Sequence, residues 1–122
     1  MAARKSKIKG IALQFLIADL ERALEFYMNK LGFEKSFQYE DFYAGVARDD
    51  QIIQLKLADP EDLPQPKGKD NLDVNFAVEG IEALYEEWTN QAVEMRQPLR
   101  EMPYGREFYI ADPEGHVLGF VE

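Results

Sequence analysis

Few side chains in this 122-residue sequence could carry covalent or proton-transfer chemistry. There are no cysteines, which removes disulfides, thiolate metal sites and cysteine nucleophiles together. The sole histidine, His116, shares the strand phase of Leu118 and Phe120, and a histidine on that side has no partner to make it a general base. Ser6 and Ser36 stand outside any Gly-x-Ser-x-Gly turn. Lys56 as an amine nucleophile or Asp73 as a base has no supporting constellation. Aromatic residues are better placed to do chemistry of a non-covalent kind. Phe37, Phe42, Tyr43 and Tyr104 fall at strand ends and in loops, outside the helical stripes that account for Tyr27, Tyr85 and Trp88. Rings beside acids can stack on a planar ligand and hold a cation. Capping a sheet edge or a dimer contact accounts for the same rings equally well.

The acids are plentiful. A net charge of -9 argues against nucleic acid, whose phosphates reward clustered Lys and Arg, and it suits a cationic partner or simply solubility. With 46% hydrophobic residues the chain is long enough for one domain with a real core. No run approaches the length of a membrane span, and the basic start is not followed by a signal-peptide pattern, so the expectation is a cytoplasmic protein.

The elements that must position these residues emerge from periodicity. Residues 11–18 alternate, with Ile11, Leu13, Phe15 and Ile17 on one face, as in a half-buried strand. Asp19 offers an N-cap oxygen, and Leu20, Ala23, Leu24, Tyr27, Met28 and Leu31 recur at helical spacing until Gly32. Three alternating segments come next at 33–39, 42–48 and 51–57, with Asp49-Asp50 as a tight turn. The segment 58–71 holds Pro60, Pro64, Pro66 and Gly68 and reads as an exposed connector.

The second half of the chain repeats the first at an offset of 61 residues. Phe15 matches Phe76, Ile17 Val78, Leu20 Ile81, Glu21 Glu82, Glu25 Glu86, Tyr27 Trp88 and Asn29 Asn90. Residues 72–78 alternate, then Ile81, Leu84, Tyr85, Trp88 and Ala92 form a second helical stripe. Closing strands are predicted at 93–99, 106–111 and 116–121, the last two joined at Asp112-Pro113-Glu114-Gly115, a turn with its φ preset by Pro. The chain is one α+β domain of two βαβββ modules, about 8–57 and 72–122.

Two tandem copies of strand, helix and three strands, closing on Tyr104-Gly105-Arg106-Glu107-Phe108 and Asp112-Pro113-Glu114-Gly115, resemble the glyoxalase/bleomycin resistance/extradiol dioxygenase (vicinal oxygen chelate) superfamily. Leu31-Gly32-Phe33, Phe42-Tyr43-Ala44-Gly45-Val46 with Arg48-Asp49-Asp50, and Leu84-Tyr85-Glu86-Glu87-Trp88 are most similar to the bleomycin resistance proteins. The resemblance implies curved mixed sheets around a cleft, helices on the outer face, and a homodimer whose second subunit completes the cleft.

Strand phase then predicts the cleft lining: Ala12, Gln14 and Leu16; Ile52, Gln54 and Lys56; Asp73, Asn75 and Ala77; Val117, Gly119 and Val121. Metal-dependent relatives ligate a divalent ion from positions that fall here on Ala12, Lys56, Asp73 and Gly119. Only Asp73 has a suitable donor, so no metal and no cofactor are expected. Lys56 and Asp73 could instead close the cleft centre as an ion pair or bind a polar ligand group. Aromatics resembling Phe37, Tyr43 and Tyr104 flank the drug groove of the bleomycin resistance proteins, where Tyr104 replaces a Trp. The resemblance implies a non-catalytic ligand site of Phe37, Tyr43, Gln54, Lys56, Asp73, Asn75, Tyr104 and Glu107 that sequesters a small cationic or aromatic antibiotic of bleomycin type. The alternatives are a metal-dependent lyase, transferase or dioxygenase, and an interaction module with a vestigial cleft.

Overall fold

A computed structural model describes residues 4–66, 68 and 71–122. Module one runs β1 (Leu13–Ile17), α1 (Leu20–Glu25), β2 (Glu34–Tyr39), β3 (Tyr43–Arg48) and β4 (Gln51–Leu57). Module two runs β5 (Val74–Ala77), α2 (Ile81–Asn90), β6 (Met95–Met102), β7 (Gly105–Ala111) and β8 (Val117–Val121). Each module forms its own four-stranded mixed sheet, β1-β4-β3-β2 and β5-β8-β7-β6, with β1 parallel to β4 and β5 parallel to β8. The repeated topology is the one the 61-residue offset predicts, and neither sheet closes into a barrel.

Local chemistry explains the boundaries. Asp19 caps α1 by accepting from the Arg22 N–H at 3.0 Å. The helix then widens into a π-helical turn, Phe26–Lys30, before Gly32 adopts φ +78 and the chain leaves for β2. Gly80 begins α2 without a side-chain cap, and the Glu122 carboxylate replaces one by accepting from the N–H groups of Gly80 and Ile81. β1 starts two residues later than its alternation suggests. Residues 4–12 take no strand pairing, and Ile8 and Ile11 are 92% and 100% exposed. β6 runs to Met102 instead of stopping at 99, since register shifts around Pro98 absorb the residue that cannot donate to a ladder.

Alternation turns one face of each sheet into a common core. Phe15 and Ile17, Ile53 and Leu55, Phe108 and Ile110, and Leu118 and Phe120 join residues from both helices in a single buried cluster. The modules are therefore fused through their helical faces. Polar contacts reinforce the joint. The Glu114 carboxylate accepts from the Ala18 and Asp19 N–H groups. Arg48 pairs with Glu87 through two bonds of 2.8 and 3.0 Å and donates to the Leu31 carbonyl, which also accepts from the Trp88 indole.

His116 lies in this joint on the core side. Its ring stacks on Phe15 at 4.2 Å, and Nδ1 meets the Asp112 carboxylate at 2.8 Å. Tyr27 donates its phenol to the same carboxylate, also at 2.8 Å. Burial first, and then the Asp112 charge, push the Tyr27 phenol well above its ordinary pKa.

Candidate functional site

The open face of the first sheet gathers three aromatic side chains, Phe37, Tyr39 and Tyr43. Register pairs Tyr43 with Lys56, Gly45 with Gln54 and Ala47 with Ile52 across β3 and β4, and Phe37 with Gly45 and Tyr39 with Tyr43 across β2 and β3. Those residues share one side of the pleat. Phe37 sits edge-on to Tyr43 at 5.0 Å, and Tyr39 stacks on Tyr43 at 5.9 Å. Gly45 makes this cluster possible: a Cβ there would come within 2.3 Å of the Phe37 ring. Tyr39, Phe42 and Ile52 remain exposed. Next to the cluster, Gln14, Leu16, Phe42, Lys56, Asp59 and Asp62 line a shallow pocket of about 440 Å³.

The open face of the second sheet is filled by its own side chains. Glu107 is only 3% exposed, and both carboxylate oxygens are engaged. Oε2 accepts from Arg100 Nε and Nη2 at 2.8 and 2.6 Å and from the Tyr109 hydroxyl at 3.0 Å. Oε1 accepts from the Tyr104 hydroxyl at 2.6 Å. Burial is the largest single influence on the Glu107 carboxyl and pushes it up. The bonds from Tyr104, Arg100 and Tyr109 together outweigh burial, so the carboxyl lies below its ordinary value. The bond to Glu107 pushes the Tyr104 phenol up to about 12.

The eight residues singled out from sequence therefore divide between two faces. Phe37, Tyr43, Gln54 and Lys56 lie on the first sheet, while Asp73, Asn75, Tyr104 and Glu107 belong to the second. Two have other commitments than a ligand. Glu107 is held by Arg100 and two tyrosines, and Asp73 fixes β8 by accepting from the Val117 N–H at 2.8 Å. The possible ion pair between Lys56 and Asp73 is not formed: Lys56 has no carboxylate within salt-bridge distance among the described residues. Arg100 escaped the sequence reading. Its signal was available in the register, because Pro103-Tyr104 is a two-residue hairpin connection that sets Arg100 opposite Glu107.

The positions that correspond to a metal centre do not fit a divalent ion. Ala12 has no donor, Lys56 carries an ammonium, and Asp73 is occupied by a backbone N–H. At Gly119 the space a ligating side chain would need is taken by Leu72 Cδ1 and Asn75 Oδ1, 2.6 and 2.8 Å from a Cβ built there.

Comparison with known proteins agrees with this geometry: the family model described as the Glyoxalase/Bleomycin resistance protein/Dioxygenase superfamily matches residues 11–120. The chain belongs to that superfamily. A sequence relative, the phenazine antibiotic resistance protein EhpR of Enterobacter agglomerans, is 22% identical over 107 residues, 84% of this chain and 82% of that protein. The bleomycin-binding protein of bleomycin-producing Streptomyces verticillus, solved with copper(II)-bleomycin, superposes with a TM-score of 0.74 at 28% identity, covering 95% of this chain and 97% of that one. The fosfomycin resistance protein FosX of Listeria monocytogenes gives a TM-score of 0.74 at 18% identity over 94% of this chain and 93% of its own, a likeness of fold. None of the helices among the described residues is long and apolar enough to cross a membrane.

Proposed function

We propose that this protein binds a planar aromatic antibiotic of bleomycin type without transforming it, and so confers resistance by sequestration. The observation that carries the reading is the aromatic wall of Phe37, Tyr39 and Tyr43, partly exposed on an open sheet face beside Gln54 and Lys56. Rings held against one another offer stacking surface at small entropic cost, and polar groups at one side orient what stacks on them. Asp59 and Asp62 at the pocket rim suit a cationic tail. The misfit of the four metal positions speaks against the metal-dependent alternative.

The cleft is completed by a second copy of the chain, bringing Asn75 and Tyr104 of one protomer opposite Phe37 and Tyr43 of the other. Two observations support this. The two open faces belong to sheets joined through their opposite, helical faces, and the exposed Ile8 and Ile11 ahead of β1 are apolar surface that association would cover.

Calorimetric titration with copper-free bleomycin tests the proposal. Saturation near one drug per cleft is expected, weakened roughly ten-fold by Tyr43→Ala. Absence of both heat and thermal shift would rule out the drug as ligand and leave the fold assignment intact.

A further inference from the structure

We propose that Glu107 is a positioning residue that fixes the ring of Tyr104 over the open face of the second sheet and does not itself touch the ligand. The inference rests on the sequestration reading and assigns roles within that site. Tyr104 occupies a two-residue hairpin connection and is 63% exposed, so packing alone leaves its ring free to rotate. One short bond to the Glu107 carboxylate removes that freedom.

The carboxylate is in turn immobile. Arg100 grips Oε2 with two nitrogens, Tyr109 adds a third donor, and the Arg100 guanidinium lies 5.6 Å from the Tyr109 ring centroid. Arg100 also pairs with the acid, so Glu107 does not offer a free negative charge to a ligand. A carboxylate with all four contacts satisfied inside the protein has no cause to trade them for a solvated cation. An aromatic ring held in its binding orientation before the ligand arrives binds more tightly than a mobile one, because its rotamer entropy has already been lost.

A double-mutant cycle with copper-free bleomycin separates positioning from contact. Tyr104→Phe keeps the ring and deletes the tether, and a loss of roughly three- to ten-fold in affinity is expected. Glu107→Gln should cost a similar factor in the wild-type background and almost nothing in the Tyr104→Phe background. Equal losses from Glu107→Gln in both backgrounds would overturn the proposal by showing direct contact, and so would wild-type affinity in Tyr104→Phe. A ligand-free arm covers the case in which no variant binds the drug, which would defeat the sequestration reading instead. Tyr104 titration, read as the ultraviolet difference between wild type and Tyr104→Phe, should fall from about 12 toward the ordinary 10 when Glu107→Gln is added. An unmoved titration would show that Glu107 does not hold the ring.

Discussion

Asp112 illustrates how much a single carboxylate can organise. One oxygen accepts the N–H groups of Glu114 and His116 and so shapes the last turn, while the other takes the His116 ring and the Tyr27 phenol from the opposite module. Tyr27→Phe removes one donor from a buried acid and should cost about 1–3 kcal/mol, read from the urea midpoint at unchanged m-value. An unchanged midpoint would show that water replaces the phenol. The sequence disclosed part of this arrangement. Helical spacing marked Tyr27 as core, and strand phase turned His116 inward. The bond from Tyr27 to Asp112 spans 85 positions, and no local pattern encodes a partner at that distance. Tyr104 and Glu107 were each singled out from the sequence, but not as each other's partners, since that pairing depends on a side chain folding back over a turn.

Elements were more legible than contacts. Alternation located the strands of both sheets because each has one face in the common core, and only their ends moved where backbone chemistry intervened. The π-helical turn after α1 left no trace in a spacing that suits α-helix and π-helix alike over so few residues. The distant cap on α2 was equally hidden, because Gly80 looks like a poor start and Glu122 lies 42 positions away. Backbone N–H donors hold the Glu122 carboxyl below its ordinary 4.5, and the Arg48 bond does the same for Glu87. A depressed folded pKa means stability present above 4.5 and lost as pH falls through the lower folded value. Thermal midpoints should therefore be flat from pH 7 to about 5 and drop below it, and Glu122→Gln should flatten part of that drop. An identical acid profile in the variant would deny the cap its role.

At the scale of the molecule, the shared core predicts cooperativity. Trp88 is 1% exposed, contacts Phe108 and Phe120 of the second sheet, and bonds Leu31 of the first module. Its fluorescence and the far-ultraviolet circular dichroism should trace one coincident urea transition. Separated curves would mean that the modules unfold as independent units.

That same separation of core face from open face has an evolutionary consequence. Phe15 and Ile17 hold β1 in place while Gln14 and Leu16 contribute nothing to the core, and β4 divides its residues in the same way. Mutations at those outward positions of β1 and β4 leave the core packing of the first sheet in place. What this face binds can therefore change by substitutions that spare the core, and divergence of function needs no redesign of the scaffold.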